Sequence, residues 1–505
     1  MLLEFPEFLP DLPVLNNPGL TLAKNVIAAG GSYKSFPSFT AYSDALTAYC
    51  RGAFSARDPE TATTYNFAGD ATKLYLLGQT TLGVFANVSK IGGYSLGSDD
   101  QWEFTQFGDN VLASNIDGSI QKFEMGVDTV FSDLSAAAPL ARYMDVVRDD
   151  FLVVGNTYDA VDGFKPYRVR WPGIGTITSW TVSAVTQADY QDLNAQYGWV
   201  QAVLGGQYGV IMQEKAIVRM DYIGSPAIFQ FTISEKDQGT KYPRSCQRIG
   251  DLTFFIGLDG FRVFDGNQSV QIGVNKVDNF FSDDLDTNYD YLICSSVDYK
   301  RQILMWAYPS ASLGAGAICS RILMYNYAPN ATRRWSYADI NTEFIYSALS
   351  EGYTLDQLDD WESAHGLSKN IDVLPYSLDS RVWVGNNIDF GLFNSDHKLA
   401  FPSASSALTA VLETAETQIT DGQKTDVFLI KPVIDGTTQS TTMQIGTRNL
   451  LTETVTWGSS LSVDSDGNCQ ARSNARYHRV RVTVASNFIN AIGVELLEFK
   501  PAGIR

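Results

Sequence analysis

The feature that most limits what this chain can fold into is a strand, turn, strand unit that recurs from about residue 65 onward. Leu74–Leu77 is followed by Leu82–Phe85, Val111–Ala113 by Ile120–Phe123, and Phe151–Gly155 by Tyr167–Trp171. Gly209–Met212 leads to Ala216–Met220, and Leu252–Ile256 to Phe261–Phe264. Weaker copies pair Tyr299–Trp306 with Ile322–Tyr327, and Val382–Gly385 with Phe390–Phe393. Asp117-Gly118 and Asp259-Gly260 fall between the strands, where a type I′ turn asks both central residues for positive φ. Most units open about forty residues apart, close to the length of one four-stranded propeller blade. Small sheets that are apolar on both faces bury them by stacking radially and closing a ring. The expectation is an all-β chain built around a β-propeller of about six to eight blades, with a long β-sandwich array as the alternative. No copy ends in Trp-Asp, and Gly-Gly falls near the expected place only at Gly92-Gly93 and Gly205-Gly206, so neither the WD nor the kelch pattern is met.

Residues 1–60 read as an extended N-terminal strap, because Leu9-Pro10-Asp11-Leu12-Pro13, Asn16-Asn17-Pro18-Gly19 and Gly30-Gly31 break any sustained period. The propeller is placed at 61–402, with one helical insertion near 354–365 announced by the capping box Thr354 to Gln357. A Ser/Ala linker, Ser403–Ala407, then leads to 408–505. There Tyr477–Val484 sets His478, Val480, Val482 and Val484 on one face, as a half-buried strand of a β-sandwich does.

With 45% hydrophobic residues, 25 Tyr and 28 Phe, a chain of 505 residues can bury several cores. Its formal charge of −19 repels a polyphosphate unless a basic stripe intervenes. The densest basic groups are Arg472, Arg476, His478, Arg479 and Arg481, and the pair Arg333-Arg334, which read as rim charges of a sheet. The first residues, with Glu4, Pro6 and Glu7, lack the pattern of a secretory leader, and no apolar run is long enough to span a membrane. Cys50, Cys246, Cys294, Cys319 and Cys469 are scattered, as reduced thiols of a chain folded in a cytoplasm are.

Candidate chemistry is sparse. Three histidines, His365, His397 and His478, are few for a triad or a metal site, and there is no nucleophile elbow, phosphate loop or Cys/His cluster. Gly314-Ala315-Gly316 stands alone. Asp464 and Asp466 could offer oxygens to calcium, but without the distal ligands the segment reads as a hairpin turn. Asp283-Asp284 with Asp286, and Asp356–Asp360, are acidic runs of the kind that stay solvated. The expectation is therefore no catalytic, cofactor-binding or metal residues, with a propeller-type glycan-degrading enzyme, working through paired carboxylates, as the alternative.

Taken in order, several stretches resemble the tail-nozzle or head-to-tail hub proteins of podoviruses, including the packaged-DNA stabilisation group. They are Leu9–Pro13 with Asn16–Gly19, Ala23–Val26, Tyr33–Phe39, Trp102–Asp109, Ala138–Tyr143, Leu355–Leu358, Asp372–Ser380 with Trp383, Asp396–Leu399, Leu412–Thr417, Arg476–Arg481 and Gly493–Glu495. The resemblance implies a virion structural protein of the bacteriophage tail, made in the host cytoplasm. It implies a homohexameric ring below the head-to-tail adaptor that carries fibres, spikes or a needle. Viral double-stranded DNA would pass through its acidic lumen during genome ejection.

Overall fold

The computed structural model describes residues 1–78, 83–350, 374, 388–436 and 440–503, for 404 and 405 in backbone only. Strand Phe151–Asp159 shows how its residues make its fold. Phe151 and Val153 enter one core while Leu152 and Val154 enter another, so a run apolar on both faces becomes the middle of a sheet packed on both sides.

Six antiparallel four-stranded sheets, with four strands of a larger sheet as a seventh blade, form a β-propeller. Blades 1 to 5 span 53–87, 103–133, 140–192, 200–236 and 247–271. Blade 6 spans 294–342, and blade 7 takes three strands from 344–407. The first strand of each blade lies innermost: Glu103–Phe107 packs on Leu140–Val147, which packs on Val200–Leu204. The ring closes where Phe344–Leu349 meets Ala53–Arg57.

The first sixty residues are extended and are taken up into the sheets. They supply β1 (Leu2–Glu4), β2 (Leu20–Lys24), β3 (Val26–Ala29), β4 (Ser32–Ser35) and β5 (Pro37–Ala45). β5 is the fourth strand of blade 7, with Ala41 opposite Ala400 and Phe39 opposite Pro402. The propeller is thus fastened by both ends of its own segment. The Ser/Ala stretch expected as a linker is the end of strand Lys398–Ala407, held there because Ala407 pairs with Pro37. Composition suggested a linker, and cross-strand pairing overrides it.

β2 lies between the outer strand of blade 6, which it meets in parallel at Lys24 and Tyr337, and Ala410–Thr414. It thereby fuses blade 6 with half of a C-terminal sandwich into one ten-stranded sheet. The facing sheet holds β1, β3 and β4 with Lys424–Gly436, Cys469–Ala475 and Phe488–Gly503. Val480, Val482 and Val484 of one sheet share a core with Val427, Ile430 and Val494 of the other. His478 lies buried on the same face of its strand, as the alternation predicts.

Two local expectations change. At the Asp-Gly hairpins only Gly260 has a positive φ, 120°, and neither Asp117 nor Gly118 does, so these are not type I′ turns. The short helix α1, Asp278–Asp284, occupies part of the acidic run read as solvated surface. The expected helix at 354–365, with Asp356–Asp360 and His365, lies outside the described residues, as do 382–385 and 372–383 except Leu374.

Candidate functional site: the propeller axis

The inner strands of all seven blades line one cavity of about 380 Å³ on the axis. Trp102 precedes the inner strand of blade 2 and is buried, its Nε1 donating to the Asp70 carbonyl at 2.8 Å. Backbone without side chains lets the indole in: a Cβ on Gly69 would sit 2.4 Å from Trp102 Cδ1, and one on Gly52 2.9 Å from its Cβ. The next residue, Glu103, turns its carboxylate into the cavity.

Arg244 reaches the same place from the 3-10 turn Pro243–Ser245 that leads into blade 5. Its NH2 lies 3.5 Å from Glu103 Oε2 and donates to the Trp102 carbonyl at 3.2 Å. Blades 2 and 5 are thereby joined across the axis, and nothing the width of a duplex can thread one propeller. Burial among the blades pushes the Glu103 carboxyl up to about 7, with Arg244 opposing and Asp145 adding to the rise. Its side chain is 29% exposed, so this carboxylate faces the cavity instead of the packed core.

Asp145 of blade 3 also faces the cavity, and it is fully engaged. It accepts from Thr105 Oγ1 at 3.2 Å, Val146 N at 2.8 Å and Gly205 N at 2.6 Å, tying blades 2, 3 and 4 together. Burial raises its pKa above the usual carboxylate range. Arg248 of blade 5 donates to the Gly205 and Tyr208 carbonyls at 2.8 and 2.6 Å and stacks on the Tyr208 ring.

Glu103, Asp145, Arg244 and Arg248 were not read as site residues, although Glu103 falls in the stretch Trp102–Asp109, since most of the hairpins that reveal the blades are their second and third strands. The usable signal is position: each inner strand precedes its hairpin, so Glu103 falls on the axis once Val111–Ala113 is recognised as a second strand.

Among the described residues, those that sequence did single out lie elsewhere and do not come together. His397 bonds through Nδ1 to the buried Glu343, which also accepts from Cys50 N at 2.8 Å. His478 is buried in the sandwich with both ring nitrogens unpaired, and burial lowers its pKa to about 4. Of the basic cluster, Arg479 and Arg481 pair with Glu413 at 2.9 and 2.8 Å, and Arg448 grips Glu416 nearby at 2.5 Å, so these three charges are spent within the sandwich. Arg333 is buried and donates to the Phe5 carbonyl, not a rim charge. Asp284 is buried as well, bonded to Arg321, Tyr308 and Ser310 at 2.6, 3.1 and 2.9 Å, which corrects the reading of its run as solvated. Asp464 closes a turn, its Oδ1 accepting from Asp466 N and Asn468 N at 2.9 and 2.8 Å. Among the described residues, no three His, Cys, Asp or Glu side chains are grouped to hold a metal ion. All five cysteines are buried and free, and burial pushes Cys246 up to about 12. No helix among the described residues is long and apolar enough to cross a membrane.

Fold and site together define a seven-bladed β-propeller joined to a β-sandwich through a shared sheet, with a narrow, plugged axis. No family model and no curated protein matches the chain. Among solved structures it is similar to BBS1N in complex with ARL6DN, at 9% identity and a TM-score of 0.38, covering 74% of this chain and 98% of that one. It is also similar to the RRP9 WD40 repeats, at 8% identity and a TM-score of 0.34, covering 62% of this chain and 89% of that one.

Proposed function

We propose that this chain is a structural subunit of a bacteriophage virion, forming a ring in the tail below a head-to-tail adaptor. The observation that carries the reading is the series of nozzle-like stretches running from Leu9 to Glu495 in order along one chain. Three properties of the molecule support it. The ten-stranded sheet makes propeller and sandwich one continuous body, suited to a load-bearing ring. Arg244 crosses the propeller axis, so the DNA passage of such a ring lies between subunits. A net charge of −19 suits a lumen through which phosphates must slide without sticking.

Light scattering on the purified protein is the test. A particle near six times the 55.6 kDa chain mass is expected, alone or with the adaptor, and rings of that size in virion tails by electron microscopy. A monomer under both conditions overturns the reading. The glycan-degrading alternative draws on Glu103 and Asp145 facing one cavity. Both Asp145 oxygens are already occupied, which leaves one carboxylate where that chemistry uses two. Release of reducing sugar from host surface polysaccharide would favour it.

A further inference from the structure

The axial cavity has the size and the mixture of surfaces of a small-ligand site, and its volume of about 380 Å³ holds one ring-sized molecule. Phe54 and Phe104 stand on its wall with their rings 4° from parallel, beside Tyr143. Glu103 meets the cavity with no hydrogen bond to its carboxylate among the described residues; its nearest cation is Arg244 at 3.5 Å. Arg244 in turn spends only NH2, on the Trp102 carbonyl, and leaves Nε and NH1 for another acceptor.

The charges narrow what can enter. Arg244 and Arg248 oppose a cation, while Glu103 and Asp145 oppose an anion. A purely apolar guest would strand the Glu103 carboxylate without a donor, which is costly in a desolvated site. A neutral molecule with several hydroxyls on an apolar ring meets all three conditions: donors for Glu103, acceptors for Arg244, and C–H faces for the aromatic wall.

We propose that the axial cavity binds one residue of a neutral saccharide, gripped by Glu103 and Arg244 against Phe54, Phe104 and Tyr143. The site is one of recognition without cleavage, and it stands or falls independently of ring assembly. Saturation-transfer NMR on the full chain would test it, using methyl glycosides of glucose, galactose, mannose and N-acetylglucosamine as probes. Tetramethylammonium and inorganic phosphate serve as cationic and anionic counterparts. Transfer to at least one glycoside is expected, with affinity at least tenfold weaker in Glu103→Gln, a variant that keeps the volume of the side chain. Its thermal midpoint, measured alongside, shows that it is folded. Glu103→Ala is expected to lose the signal altogether. Transfer to none of the glycosides, unchanged affinity in Glu103→Gln, or binding of tetramethylammonium or phosphate in their place would each overturn the proposal.

Discussion

Trp102 and Glu103 are neighbours in the chain with opposite demands, one needing space in the packing and the other tolerating burial of a charge. Gly69 supplies the space with an ordinary backbone conformation, so Gly69→Ala acts through steric overlap, chiefly with Trp102 and also with Leu74. It is expected to cost about 1–3 kcal/mol, read as a lowered urea midpoint. Glu103 and His478 carry opposite pH signatures. The Glu103 pKa is raised to about 7, so its contribution is full below about 4.5 and is lost as pH rises through 7. The His478 pKa is lowered to about 4, so its contribution is full above about 6.5 and is lost as pH falls through 4. Relative to the unmodified chain, Glu103→Gln should gain stability at pH 8 against pH 4, on the order of 2 kcal/mol, and His478→Leu should gain at pH 4 against pH 7 by a similar amount. Denaturant titrations at the three pH values check both. His478 was legible in sequence because strand alternation assigns its face. Glu103 was not, because its environment is made by residues up to 244 that only ring closure brings near.

At the scale of elements, the hairpins were readable and their partners were not. A second and third strand joined by a short turn are local, whereas the strap finds its place largely through residues more than 300 positions away, as in the pairings of Lys24 with Tyr337 and Ala41 with Ala400. The prediction that follows is Ala41→Pro. It fixes φ and removes the backbone N–H at a paired position of the closing strand, and should destabilise by about 1–3 kcal/mol. Limited proteolysis should then cut first within blade 7. The helix α1 escaped notice because seven residues are too short for a periodic signal. It positions Asp284 between Arg321 and Ser310, with Arg321 also held to Asp339 at 2.7 Å. Asp284→Ala leaves a buried guanidinium short of a partner and should cost about 3–5 kcal/mol, measured as a shift in urea midpoint at constant slope.

For the whole molecule, the propeller expectation holds because sheets apolar on both faces have few ways to hide them. What sequence could not show is that the two ends of the chain are woven into the same sheets. β1 pairs with Phe488–Gly503, and the N-terminal amine donates to the Leu496 carbonyl at 2.9 Å. β5 waits for 398–407, and β2 for 410–414. A ribosome working at about 5–20 residues per second takes roughly 25–100 s to finish such a chain. Until residues 398–407 and 488–503 have emerged, β5 and β1 have no partner, so blades can stack early while the latch between the first strands and the late ones forms last.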